Sequence, residues 1–216
     1  MKKLLIIIIV CLAACSNESV VTQKHTYVAP PKYERITRNG VTYINDILIV
    51  NKKIGLPADF NPGENRYARV KLEQMIKDAK KDKEYLVVRS GYRSYQMQEK
   101  LYKEFKAIDA NADTYSARPG YSEHQTGLAF DIGSVESAKD LTISFGDTTE
   151  GEWLAQNAHK YGFIIRYPEG KSNITGYQYE SWHVRYVGTQ IAKDIFTKNI
   201  TLEEYLGLYP KDQTVQ

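Results

Sequence analysis

Hydrophobic and polar positions alternate along this chain in short, changing periods. Val41 to Val50 (VTYINDILIV) is rich in β-branched and aromatic residues and predicts one or two strands. From Asn65 to Lys80, Val70, Met75, Ile76 and Ala79 fall along one helical face, and Tyr85 to Arg89 (YLVVR) reads as a buried strand. Met97, Leu101, Phe105 and Ile108 recur every three or four residues, predicting a second helix with Ser94 as its N-cap. A loop interrupted by Gly and Pro follows from about Asn111 to Gly127, then a short apolar strand, Leu128 to Ile132. Asp147-Thr148-Thr149-Glu150 reads as a capping box for a helix through Tyr161, with a strand at Phe163 to Arg166 next and another at Trp182 to Val187. Two helices close the chain, the second opened by the capping box Thr201-Leu202-Glu203-Glu204. Short strands interleaved unevenly with helices predict an α+β fold rather than a doubly wound sheet, and no internal repeat is present.

The N-terminus carries a different pattern. Lys2 and Lys3 precede an unbroken apolar run of eleven residues, Leu4 to Ala14. That is well short of the roughly 20 residues that span a bilayer, so it reads as a secretion signal. The run ends in Leu12-Ala13-Ala14-Cys15, which resembles the lipobox of bacterial lipoproteins, where the Cys is lipidated and becomes the first mature residue. The polar stretch from Ser16 to about Lys32, with Pro30-Pro31, reads as a tether. The expected organisation is a signal peptide over 1–14, a lipidated Cys15 and flexible tether over 15–35, and a folded domain over 36–216. Such a protein sits on the outer face of a bacterial cell membrane, held by its lipid anchor.

Composition then removes whole classes of function. At 42% hydrophobic and 25% charged residues over 216, the chain is neither disordered nor collagen-like. Its domain is large enough to bury a core as a monomer. The formal charge of +3 is small and scattered; without Lys2 and Lys3 it becomes 27 basic against 26 acidic residues, which excludes a nucleic-acid partner. The two cysteines are Cys11, lost with the signal, and Cys15, consumed by lipid, so no thiol is left for a disulfide, a nucleophile or a zinc–thiolate site.

Hydrolytic chemistry without thiols turns attention to the four histidines. His25 lies in the tether, and His159 lies in a predicted helix whose only nearby acid is Glu152. His124 and His183 have richer surroundings. A thiol-free catalytic zinc site needs two or three imidazoles, a carboxylate ligand, an open position for water, and a base that is not itself a ligand. His124, Asp131 and His183 supply such a ligand set, with Glu180 as the free carboxylate. His124 and Asp131 are seven apart and would point to opposite faces of a continuous strand, so their convergence requires a bend, for which Gly127 is placed. Glu180 and His183, three apart, fail the same parity, which predicts Glu180 on a turn before the strand of His183. Spacing alone leaves each of these residues equally readable as turn or core.

The surrounding words are more specific. Ser122-x-His124-x-x-Gly127-x-Ala129-x-Asp131, followed about fifty residues later by Glu180-x-x-His183 with Trp182 before the His, resembles the VanY-type D-alanyl-D-alanine carboxypeptidases of the LAS group of zinc peptidases. Ser90-Gly91-Tyr92-Arg93-Ser94, Tyr115 to Gly120 and Gly162 to Pro168 stand in family order around these blocks. The resemblance implies a single compact domain with a small antiparallel sheet flanked by helices. It implies one Zn2+ held by His124, Asp131 and His183, with Glu180 as general base and later proton donor. It implies Arg93 as the group that binds substrate or steadies the oxyanion, Gln98 and Ser122 as peptide contacts, and Tyr167 as pocket wall. Trp182 reads equally as a neighbour of the metal and as core. Arg93 and Arg118 both remain able to pair with the terminal carboxylate of a substrate. The implied activity is removal of terminal D-alanine from peptidoglycan stem peptides, of D,D or L,D type. An endopeptidase using the same metal, or a non-catalytic cell-wall-binding lipoprotein, stands as the alternative.

Overall fold

The computed structural model describes residues 33–136 and 138–208. The expected signal, Cys15 and the tether up to Lys32 lie outside the described residues. In chain order the elements are β1 (Arg35–Arg38), β2 (Val41–Ile44), β3 (Ile47–Leu48), α1 (Arg66–Lys81), β4 (Leu86–Ser90), α2 (Tyr95–Ile108), β5 (Ala129–Ser134), α3 (Thr149–Asn157), β6 (Phe163–Tyr167), α4 (Ser172–Thr175), β7 (Glu180–Tyr186), α5 (Thr189–Lys198) and α6 (Leu202–Tyr205). The fold is α+β, with two small antiparallel sheets. One has the order β1-β2-β3 and the other β4-β5-β7-β6. No helix among the described residues is long and apolar enough to cross a membrane.

The stretch read as one or two strands at Val41 to Val50 is a hairpin. Asn45 and Asp46 both adopt positive φ, 49° and 62°, which is the backbone of a two-residue turn that matches strand twist. Helix α1 starts where Asn65 accepts a hydrogen bond from the Ala68 amide, and buries Ala68, Leu72, Met75 and Ala79. Val70, expected on that face, is exposed. At 100° per residue it lies nearly opposite Leu72. Full burial of side chains such as Leu72 and Met75 contributes about 1.5–3 kcal/mol each.

The four-stranded sheet has two differently used faces. Phe130 and Ile132 of β5, Phe163 of β6, and Trp182 and Val184 of β7 pack with α1, Phe145 and Leu154 into the main core. Alternation along the strands therefore turns Asp131, His183 and Arg185 to the other face. There Ile164 joins Ile44 and Ile49, Ala192 and Ile195 of α5, and Leu202 and Leu206 in a second cluster.

Several expected details change. In α2, Met97 and Ile108 are exposed and the buried residue is Gln98, because the inward face of this helix borders a cavity rather than core. The expected Asp147–Glu150 box does not form. Thr148 is the N-cap of α3 and accepts from the Gly151 amide at 3.0 Å; the helix ends at Asn157, with a 3-10 turn over Ala158–Tyr161. The Thr201–Glu204 capping box is present with both of its hydrogen bonds.

Candidate active site

The predicted bend between His124 and Asp131 is present. His124 sits in a 3-10 turn over Glu123–Thr126, which Gly127 terminates in the left-handed region at φ 71°. A Cβ at Gly127 would lie 2.1 Å from the Gly63 carbonyl oxygen, so the position has neither the space nor the backbone for another residue. Beyond it β5 begins, and Asp131 pairs directly across the ladder with His183 of β7.

Glu180 is not on a preceding turn, as parity required, but is the first residue of β7. Between the pairs Ile165↔Val184 and Tyr167↔Glu180 the register shifts, so β7 carries extra residues over that interval. Regular alternation does not hold across this irregularity, and Glu180 lines the same cavity as His183. Glu180 Oε2 lies 3.9 Å from His183 Nδ1.

The donor atoms of His124, Asp131 and His183 all fall within 4.8 Å of one another, and all three residues are buried. Asp131 Oδ2 is 3.2 Å from His124 Nε2, and its Oδ1 is 3.0 Å from His183 Nδ1. His124 Nδ1 is 2.8 Å from the Gly91 carbonyl, so it carries the proton and leaves Nε2 as the ligand nitrogen. Burial pushes Asp131 up, but the two imidazoles outweigh it and hold its carboxyl well below the usual range. Burial pulls His183 down, but Asp131 and Glu123 raise it to about 9. Protein groups that drive an imidazole toward its charged form carry an excess of negative potential, which a divalent cation satisfies. Two imidazoles and a carboxylate are also the nitrogen and oxygen donors that suit zinc, so the residues fit the metal.

These groups line a cavity of about 330 Å³, together with Arg93, Gln98, Ser122, Tyr167, Glu180 and Trp182. Burial pushes Glu180 up to about 8; His183 and Arg93 pull it down, and Asp131 and Glu123 push it further up. Arg93 donates to Gln98 Oε1 at 2.8 Å and to Ser90 Oγ at 2.9 Å, with Nη2 3.9 Å from Asp131. Gln98 donates in turn to the Ala117 carbonyl at 2.6 Å, so both ends of its amide are engaged in holding Arg93 and the following loop. Ser122 is buried at the cavity wall. The Tyr167 ring centroid lies 4.9 Å from that of His183. Trp182 serves both readings, lining the cavity and packing in the main core. Arg118 is exposed over the Tyr121 ring, whereas Arg93 faces the cavity. His159 stacks on Phe196, with centroids 3.8 Å apart.

The model of the VanY family, D-alanyl-D-alanine carboxypeptidase, matches residues 63–189, which is more than half of the chain and holds every residue of this site. The chain belongs to the VanY family. It is 42% identical to the L,D-carboxypeptidase DacB of Streptococcus pneumoniae, whose structure superposes with a TM-score of 0.74 over 82% of this chain and 96% of that one. A mutant of the vancomycin-resistance D,D-pentapeptidase VanY from a VanB-type cassette, solved in complex with Zn(II), is 34% identical, with a TM-score of 0.62 over 73% of this chain and 97% of that one. A D-alanyl-D-alanine carboxypeptidase of Enterococcus faecium is 40% identical over 146 residues, 67% of this chain and 44% of that protein. The chain thus spans less than half of that relative.

Around this VanY-family site the structure adds groups that motif reading did not single out. Glu123, beside His124 in the chain, is buried at the cavity lining, with Oε2 3.5 Å from His183 Nε2. Arg166 and Arg185 donate to its Oε1 at 2.7 and 2.9 Å. Arg166 also donates to both oxygens of Glu203, at 2.9 and 2.6 Å. Burial pushes Glu123 up, but the two guanidiniums outweigh it and hold the carboxyl well below the usual range. Adjacency to His124 was the one signal in the sequence for Glu123; nothing local marks Arg185 or Glu203.

Proposed function

We propose that this VanY-family chain is a zinc-dependent carboxypeptidase that removes the terminal D-alanine from peptidoglycan stem peptides outside the cell. One observation carries the reading: His124, Asp131 and His183 converge in the lining of a cavity that also holds a buried Glu180 and a fixed Arg93. His124 Nε2, Asp131 and His183 Nδ1 would hold the metal. When bound, zinc supplies a Lewis acid that polarises a carbonyl and makes hydroxide available near neutral pH.

Glu180 takes the proton released from the attacking water and returns it to the leaving amine, so the peptide bond is hydrolysed with no net change in the protein. Burial raises the proton affinity of this carboxylate, which strengthens it as a base, and a cation held beside it would favour the ionised form that accepts the proton. Arg93, fixed by Gln98 and Ser90, presents its charge to negative charge on the substrate. That charge is either the developing oxyanion or the terminal carboxylate, and the water-poor cavity strengthens the attraction in both cases. Ser122 and Tyr167 contribute to the walls that hold the peptide.

Within this reading we favour the L,D type, which acts on tetrapeptides. The likeness to the L,D-carboxypeptidase DacB reaches further along the chain, and at higher identity, than that to the D,D-pentapeptidase. Mass spectrometry of purified protein incubated with stem tetrapeptide and with stem pentapeptide, with and without chelator, tests this. Chelator-sensitive loss of one alanine from the tetrapeptide is the expected result. Loss from the pentapeptide alone replaces it with the D,D type, and cleavage of neither sinks the carboxypeptidase reading. We also propose that a lipid on Cys15 holds the domain at the outer face of the membrane. Cys15→Ala should release the protein from membrane fractions, and unchanged retention would remove the anchor.

A further inference from the structure

We infer that Glu123 is a positioning residue for the metal centre: its carboxylate accepts the Nε2 proton of His183 and so turns the bare Nδ1 toward the metal. The inference rests on the zinc reading above. Two buried side-chain atoms without hydrogen-bond partners, Glu123 Oε2 and His183 Nε2, face one another at 3.5 Å. One is an acceptor and the other becomes a donor in one tautomer of the ring. A small approach completes both, which no other assignment of the His183 proton achieves.

The two ligand imidazoles are then fixed in opposite senses. His124 gives its Nδ1 proton to the Gly91 carbonyl at 2.8 Å and offers Nε2. His183 gives its Nε2 proton to Glu123 and offers Nδ1, which is the nitrogen 3.0 Å from Asp131. A backbone carbonyl orients one ring and a carboxylate the other.

What keeps the carboxylate in place is a balanced buried cluster. Glu123 and Glu203 are opposed by Arg166 and Arg185, and all four side chains are almost wholly inaccessible. Arg166 bridges the two acids. Arg185 donates to Glu123 and, at 2.7 Å, to the Leu48 carbonyl at the end of β3. Glu203 lies in α6 and accepts from Asn51 at 3.3 Å. The ring of one metal ligand is therefore braced by residues near both ends of the described fold. A neutral or shorter group at 123 would either present an amide N–H to donors or fall away from the ring.

The test is zinc affinity of the full chain in detergent, measured by competition with a chromogenic chelator, with thermal melting of the chelated protein alongside. Glu123→Gln should weaken zinc binding about 10- to 100-fold, and Glu123→Asp, which keeps the carboxylate, should recover part of that loss. Glu203→Gln, which reaches Glu123 only through Arg166, should lower the melting temperature and weaken zinc binding by at most a few-fold, less than Glu123→Gln does. Wild-type affinity in Glu123→Gln, or equal weakening in Glu203→Gln, overturns the inference. Should Glu123→Gln fail to fold, imidazole 1H–15N spectra of the zinc-loaded wild type decide it. A proton on His183 Nε2 with metal-bound Nδ1 supports the assignment, and the reverse tautomer overturns it. Wild-type protein that takes up no zinc sinks the zinc reading and this inference with it, an outcome distinct from zinc binding that is indifferent to residue 123.

Discussion

Glu123 and Glu180 are both buried, and each places a carboxylate oxygen near a ring nitrogen of His183, at 3.5 and 3.9 Å. They approach different nitrogens of that ring and behave in opposite ways. Around Glu180, burial dominates and pushes it up to about 8, with Asp131 and Glu123 adding to the rise against His183 and Arg93. Around Glu123, burial acts in the same direction, but Arg166 and Arg185 outweigh it and keep the group an anion. The same residue type becomes a carrier of protons in one place and a fixed counter-charge in the other. What separates them is whether the desolvated carboxylate is compensated by cations that share its burial.

The largest effect that would break this comparison concerns Glu180 itself. Glu180→Ala should keep zinc and lose turnover by roughly 10²- to 10⁴-fold, read from kcat on stem peptide together with metal content. Turnover close to wild type would leave Glu180 merely a buried acid. Next comes the compensation around Glu123. Arg166→Met strips both oxygens of Glu203 and one contact of Glu123 of a cation, and should cost about 3–5 kcal/mol in urea denaturation. A loss under about 1 kcal/mol would show that Glu123 owes little to that guanidinium.

The smallest effect is a slope with pH. The folded-state pKa of Glu180 stands above its ordinary value of 4.5, near 8, so in this interval the folded chain keeps a proton that the unfolded chain has released. Stability therefore falls as pH rises from 4.5 toward 8, by at most about 1.4 kcal/mol per pH unit from this group. Chelator-treated Glu180→Gln lacks that titration. Its melting temperature should gain on wild type as pH rises, and a constant difference would mean that Glu180 ionises as it does in water.

Much of the fold was legible because its signals are local. The strand signal over Val41 to Val50, the Ser94 and Thr201 caps and the bend at Gly127 depend on a few neighbouring residues, and the structure has each of them. Periodicity alone misassigned the outward residues Val70, Met97 and Ile108, because a helix pattern does not say which stripe meets core and which borders a cavity. Parity placed Glu180 on a turn, since the strand irregularity that breaks the alternation between it and His183 arises from pairing with β6 and leaves no mark in the β7 sequence.

For the site, the sequence by itself determined the kinds of groups available. It supplied two histidines with rich surroundings, acids spaced around them, a glycine where the chain must bend, and no thiol in the expected mature chain. Tertiary structure alone decided that Arg166, Arg185 and Glu203 close around Glu123, that Gln98 holds Arg93, and that burial raises the proton affinity of one glutamate while cations lower that of the other. The reason is physical. Residue type and backbone preference are properties of short segments, whereas proton affinity and ring tautomer are set by desolvation and by partners that only folding brings within hydrogen-bond reach.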